Sequence, residues 1–394
     1  MQIYIPSHIE LALNMLKLAG FESYIVGGCV RDSLINKLPN DWDICTSALP
    51  SQTCEIFKNF KMVLNGAKHG TIRVIINHLP VEITTFRIDG KYLNNRSPEN
   101  ISFTSSLKED LIRRDFTINA MAYSNESGII DLYGGKKDLE QKLIKCVGNA
   151  EERFEEDALR IMRALRFASQ LNFKIEEKTK AAIFTKKDLL KNISAERITE
   201  EFLKLISYDN CFRILDEFAE VIRVFMPHFS NQFKKISAST DIRVNLAYIL
   251  SASKCDYEHI FGVLKIPTAL KKDVITILNS KNIVINADKI EIKQHLFTFG
   301  EDLLKLILEF KSCYGEDTDE QIKIIDDIIA NNQPYLLRHL KISGNDIKGL
   351  GVSSGEKIGN ILNYLLKRVI SEKLANRKAY LIEEAQKYIL KNKF

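Results

Sequence analysis

Residues 24–44 read YIVGGCVRDSLINKLPNDWDI, and the order of residue types in this stretch decides the fold of the first part of the chain. A β-type run ending at Val26 meets a Gly27-Gly28 turn, a short helix containing Arg31 and Asp32 follows, and Asp-x-Asp comes on a second strand about a dozen residues on. Strand alternation puts residues i and i+2 on one face, so Asp41 and Asp43 are expected to point together and Trp42 away. Two carboxylates that close repel one another unless a cation lies between them. Mg²⁺ suits all-oxygen ligands and keeps positions open for phosphates and water, the geometry that in-line phosphoryl transfer requires. Gly27 and Gly28 would let backbone approach a triphosphate, with N–H groups at a helix start that attract anions. A lone Asp-x-Asp is most often a polar turn and a lone Gly-Gly only a change of direction; the composite reverses that reading.

Working outward, ESYIV (22–26), TIRVII (71–76), VEITTF (81–86) and GIIDLY (128–133) are β-type runs bounded by Gly, Asn or Pro. In the third run Glu82 could supply another carboxylate from a neighbouring strand, sharing a face with Thr84 and Phe86; the bland alternative is an ordinary exposed strand residue. In EDLIRRDFTINAMAY (109–123) Arg113, Arg114 and Asp115 precede an apolar helix-like run. Adjacent guanidiniums meet phosphate oxygens bidentately, and Asp115 could accept from a ribose hydroxyl. A salt-bridged helix start capped by Asp115 is the competing account. In EERFEEDALRIMRALRF (151–167) the period predicts one amphipathic helix with Asp157 and Arg160 as neighbours on one face. That pair has a useful complementarity: a carboxylate accepts from the exocyclic amine of cytosine or adenine but faces a carbonyl in uracil or guanine, and the guanidinium donates to ring acceptors. A solvated i,i+3 salt bridge is the default for such a pair.

From about residue 151 nearly every segment has helical period, so the fold class is α+β: a mixed head over 1–147, then all-helical parts over 148–206, 207–315 and 316–394. Five glycines in GNDIKGLGVSSGEKIGN (344–360) are expected to make tight turns before a long terminal helix. The chain has 394 residues, 45 % apolar and 27 % charged, with no low-complexity tract, which indicates several folded units and no large disordered region. Seven scattered cysteines without a C-x-x-C pair suggest neither a disulfide framework nor a zinc site. The opening MQIYIPSHIELALNMLKLAG reads as neither signal nor transit peptide, and no apolar run nears the ~20 residues needed to span a bilayer, so a cytoplasmic protein without a membrane partner is expected. Net charge is +5, and residues 343–394 alone hold ten Lys/Arg against five Asp/Glu. That basic end could contact phosphates, although a solvated helical face is the commoner cause.

Together the segments resemble class II CCA-adding enzymes, in the tRNA nucleotidyltransferase and poly(A) polymerase family of the polymerase-β-like superfamily. GGCVRD with DWD resembles the first family motif, LIRRDFTINA the second, DLYGGKKDL (131–139) the third, EDALR (156–160) the fourth and ISAERITEE (193–201) the fifth. The segment 340–381 is similar to the family's C-terminal region. The resemblance implies a nucleotidyltransferase head, a neck that recognises the base, a body and a tRNA-binding tail over the four spans given above. It implies two Mg²⁺ ions on Asp41 and Asp43 with Glu82 in support, and addition of C, C and A to the tRNA 3′ end from CTP and ATP, releasing pyrophosphate. Gly27, Gly28, Arg31, Arg113, Arg114, Asp115, Asn119, Asp157, Arg160 and Arg163 would bind the nucleotide, Asp157 and Arg160 as the reader of C or A. Glu156 and Arg197 would support the neck. FRIDGKYLNNRSPENISF (86–103) resembles the flexible loop of full CCA-adding enzymes through Arg87, Asp89, Gly90, Tyr92, Arg96 and Pro98, with Asn94 replacing an acid and Ser97 a basic residue. The tRNA acceptor stem and elbow are the expected partner. Oligomeric state is not legible. The rival readings are a bacterial poly(A) polymerase, a CC-only or A-only relative, and an RNA-binding protein without chemistry.

Overall fold

The computed structural model describes residues 2–90, 92–93, 95, 97–98, 101–233, 238–253 and 256–392. The chain forms two compact units, one of residues 1–231 with 254–265, the other of residues 232–253 with 266–394. The α+β class holds.

The first unit is built on a seven-stranded sheet. Its strands are β1 (Ser23–Val26), β2 (Asp43–Thr46), β3 (Lys61–Val63), β4 (Thr71–Ile76), β5 (Leu79–Thr85), β6 (Met121–Ser124) and β7 (Gly128–Asp131), in the order β7-β6-β1-β2-β5-β4-β3. Only β2 and β5 run parallel, with Asp43 beside Glu82; β1 and β2 are antiparallel, with Val26 opposite Asp43. Alternation shows in β4, where Ile72, Val74 and Ile76 are buried and Arg73 is exposed. Helix α1 (Ser7–Leu18) covers the sheet with Ile9, Ala12 and Leu16, spaced three and four apart and fully buried, and α2 (Gly28–Leu34) follows β1. Phe86, read as sharing a face with Glu82, lies past the end of β5 and is buried.

The helix expected over 151–167 is two helices, α4 (Ala150–Glu156) and α5 (Leu159–Leu171). Asp157 separates them at φ −134°, ψ 102°, and its carboxylate accepts from the Leu159 N–H at 3.1 Å. Asp competes for backbone donors better than it sustains a helix interior, so it ends one helix and starts the next. Helix α6 (Ala195–Leu205) packs against α5.

The second unit is helical throughout its described residues, with helices including Ile242–Ser253, Thr268–Asn279, Glu301–Ser312, Gly355–Ile370 and Lys378–Lys391. Arg243 bridges Asp241, Asp273 and Asp302 at 2.7, 3.0 and 2.8 Å. Ile347, Ile361, Leu365 and Leu381 form a core at its C-terminal end. The glycines of 344–360 are not all turn residues: Gly355 and Gly359 are inside the 16-residue helix Gly355–Ile370 and Gly344 inside Gly344–Lys348, while Gly351, at φ 94°, makes the turn. Among the described residues no helix is long and apolar enough to cross a membrane.

Candidate active site

Strand β2 begins at Asp43, so Asp41 lies in the segment just before it and the two carboxylates do not share a strand. They are nonetheless brought together, lining one cleft of about 640 Å³ with Glu82, Trp42, Arg73, His8, Asn40, Leu79 and Pro80. Asp43 is solvent-accessible at the cleft, yet the protein around its carboxyl raises its pKa. Desolvation is the main cause, the Arg114 guanidinium opposes it, and the charges of Glu82 and Asp41 add to it. Glu82 is held from the far side by Arg73, which donates from Nε at 3.1 Å and from Nη2 at 2.5 Å to Oε1. Among the described residues no three His, Cys, Asp or Glu groups are clustered to cage a metal. Mg²⁺ takes one or two protein carboxylates and fills its octahedron with water and substrate phosphate, so Asp41 and Asp43 are donors of the type it uses. Three carboxylates crowded into one cleft are the donor set whose mutual repulsion such a cation would relieve.

The Arg-Arg-Asp segment is organised by a residue the sequence reading passed over. Asp110, in helix α3 (Leu107–Ile112), has no exposed surface and accepts from Arg113 at 3.0 and 2.6 Å and from Arg114 at 3.3 Å. Burial alone would raise its pKa, but the two guanidiniums outweigh it and the net shift is downward. Arg114 reaches back to the Gly-Gly turn. Gly27 sits at φ 82°, ψ −128°, and an added Cβ would stand 3.0 Å from Arg114 Nη1. The Gly27 N–H is already donated to the Met121 carbonyl at 3.2 Å, so the expectation that it is free for an anion is corrected.

Asp115 is buried and both of its oxygens are engaged. Oδ1 accepts from the Phe116 N–H at 2.8 Å and from Asn119 Nδ2 at 3.1 Å; Oδ2 accepts from Arg163 at 2.8 and 2.5 Å. Desolvation is overcome by Arg163, Asn119 and the backbone donor, which bring its pKa down to about 2. Asn119 in turn accepts from Arg31 Nη1 at 2.7 Å, and Arg31 donates to Asp32 at 2.8 Å. The guanidiniums of Arg31, Arg163 and Arg166 lie 5.1, 5.3 and 4.0 Å from the Phe167 ring centre, and Glu201 pairs with Arg166 at 2.6 Å. Arg163, Arg166 and Phe167 are neighbours in the chain, but the sequence does not show that Arg31, more than a hundred residues earlier, joins them.

Asp157 and Arg160 are close in sequence but have separate partners. Asp157 accepts from Arg197 Nη2 at 3.0 Å. Arg160 is buried and donates to Glu156 at 2.5 Å and to the carbonyls of Arg153 and Arg113 at 3.1 and 2.9 Å. The shared helical face expected for the pair is replaced by a break with an ion pair on each side. The loop reaches this break: Asn95 accepts from the Ala158 N–H at 3.0 Å and donates to the Glu155 carbonyl. At its root Arg87 pairs with Asp89 at 3.2 Å. Asn94 and Arg96 lie outside the described residues.

Three family models match the chain: the "Poly A polymerase head domain" over residues 23–145, the "Probable RNA and SrmB- binding site of polymerase A" over 172–232, and tRNA nucleotidyltransferase domain 2 over 234–385. The chain is 35 % identical to the CCA-adding enzyme of Lactobacillus delbrueckii subsp. bulgaricus, covering 94 % of this chain and 95 % of that protein. It is 36 % identical to the CCA-adding enzyme of Ligilactobacillus salivarius, covering 98 % of each. The crystal structure of the Bacillus stearothermophilus CCA-adding enzyme in complex with CTP superposes with a TM-score of 0.79 at 28 % identity, covering 98 % of both chains.

Proposed function

The chain belongs to the family of CCA-adding enzymes, and from that membership we propose that it adds C, C and A to the 3′ end of tRNA, taking CTP and ATP, with Asp41 and Asp43 as its metal-binding carboxylates. The observation that carries the assignment of the site is the meeting of Asp41, Asp43 and Glu82 in one cleft with the Arg114 charge acting on Asp43. Two Mg²⁺ ions bound there would supply charge neutralisation at the attacking and leaving oxygens. Glu82, fixed by Arg73, adds negative charge beside Asp43 and so strengthens the attraction for cations.

Arg113 and Arg114 hold the triphosphate, preset by Asp110 so that little side-chain freedom is lost on binding. Asp115, oriented by Arg163 and Asn119, offers its carboxylate to the ribose, and Arg31 steadies Asn119 from the other side. Gly27 gives Arg114 its space and Gly28 starts the helix that carries Arg31. Asp157 and Arg160 read the base, with Arg197 and Glu156 holding them until cytosine or adenine takes over those hydrogen bonds. A base whose groups mismatch leaves these buried charges unpaired, at a cost of about 1–3 kcal/mol each.

We assign catalysis and base reading to the head (1–147) and neck (148–206), and tRNA contacts to the body (207–315) and the tail (316–394), whose residues 343–394 carry the basic excess. The test is CTP incorporation into a tRNA transcript as Mg²⁺ is titrated. Asp41→Asn and Asp43→Asn are expected to lose at least about a thousandfold in rate with the melting temperature unchanged or raised. A wild-type rate in either variant would remove that carboxylate from the mechanism.

A further inference from the structure

The carboxylates stand on a divide within the head sheet. Toward β1 and β6 lie Gly27, Arg31, Arg114 and Asn119; toward β5 and β4 opens the cleft walled by Trp42, Arg73, Leu79 and Pro80. Neither Arg113, Arg114, Asp115, Asp157 nor Arg160 lines that cleft. In-line displacement puts the attacking and leaving oxygens on opposite sides of the phosphorus. With the triphosphate on the arginine side, the attacking 3′-hydroxyl has to come from the cleft side.

We propose that this cleft seats the 3′-terminal nucleotide of the RNA acceptor, with Trp42 as the surface against which it packs and Arg73 as the cation for its phosphodiester. The inference rests on the metal and triphosphate assignments above. The Trp42 ring is partly exposed, and among the described residues it has no aromatic or cationic partner. Leu79 beside it is 47 % exposed. An unpaired aromatic wall suits a nucleotide of any sequence, because every base offers a π face. Arg73 uses Nε and Nη2 on Glu82, and no described residue pairs with its Nη1. The cleft volume of about 640 Å³ falls within the range of roughly 300–1,000 Å³ typical of small-ligand sites.

Trp42 is the only tryptophan of the chain, so its fluorescence reports on this cleft in the unmodified full-length protein. A tRNA transcript ending in CC and carrying a 3′-deoxy terminus is expected to change the emission saturably without nucleotide. A transcript shortened by about four 3′ nucleotides should still bind, by gel shift, and leave the emission unchanged. CTP with Mg²⁺ and no RNA should also leave it unchanged. Trp42→Ala is expected to raise KM for the RNA roughly tenfold, as loss of one stacking contact does, with KM for CTP unmoved and Trp42→Phe largely restoring it. Constant emission with the RNA bound would overturn the proposal, as would a response to CTP alone. Neither result depends on turnover, so incorporation by the wild-type chain tests the metal assignment separately.

Discussion

Arg114 Nη1 lies 3.0 Å from the point where a Cβ on Gly27 would stand, at a turn with φ 82° and ψ −128°. The glycine of the first motif is therefore needed by the arginine of the second, and the two are coupled through the volume they share. Gly27→Ala is expected to strain the backbone by about 1–3 kcal/mol and to displace the guanidinium. The melting temperature should fall and KM for CTP and ATP should rise together. An unchanged KM for both nucleotides would separate Arg114 from triphosphate binding.

Asp110 carries the same logic one layer deeper. Its buried carboxylate compensates Arg113 and Arg114, and removing one member of such a cluster costs about 3–5 kcal/mol. Asp110→Asn should lower stability in chemical denaturation and raise KM for both nucleotides while leaving RNA affinity intact. Equal losses in nucleotide and RNA binding would mean a general collapse of the head.

Asp115 gives a pH dependence. Its folded pKa of about 2 lies below the ordinary 3.8, so its contribution is present above about pH 4 and lost as pH falls toward 2. The size is about 2 kcal/mol. Asp115→Asn should be less stable than wild type at pH 7, and the gap should narrow by about that amount by pH 2, as read from urea unfolding across the range. A gap independent of pH would show that the Arg163 contact does not favour the ionised carboxylate.

The proposed base-reading role of Asp157, held by Arg197 at the helix break, makes a prediction about the choice of base. Asp157→Asn replaces an acceptor-only group with one that also donates, and should raise UTP incorporation relative to CTP at least about tenfold. Arg197→Ala frees Asp157 and is expected to weaken discrimination in the same direction by less. A variant that loses CTP incorporation without gaining UTP would point to a structural role for Asp157 alone.

The sheet was legible because its strands alternate cleanly, as Ile72, Val74 and Ile76 around Arg73 show, and the meeting of Asp41, Asp43 and Glu82 in one cleft was legible because carboxylates in that pattern stand out in a β-rich stretch. The break at Asp157 was not, since helical period runs through it and only the carboxylate's bond to the Leu159 N–H decides against continuity. The start of β2 at Asp43 has the same character: the pairing with Val26 and Glu82, not the local sequence, sets where the strand begins. The Phe167 ring draws Arg31 from a distant segment, which no local pattern shows, whereas the Asp110 clamp on Arg113 and Arg114 is local and was passed over because an i,i+3 or i,i+4 pair reads as an ordinary surface salt bridge. The Gly27 N–H was read as free for a phosphate because its bond to Met121 comes from a strand about a hundred residues away.

The most direct measurement of the central claim incubates the purified protein and Mg²⁺ with each of CTP, ATP, UTP and GTP on tRNA transcripts ending before CCA, after C and after CC, with products resolved to single-nucleotide length. The account predicts addition of C, C and A, a stop after A, and no product with Asp41→Ala. Open-ended A addition, addition limited to CC or to A, or product that persists without metal would contradict it.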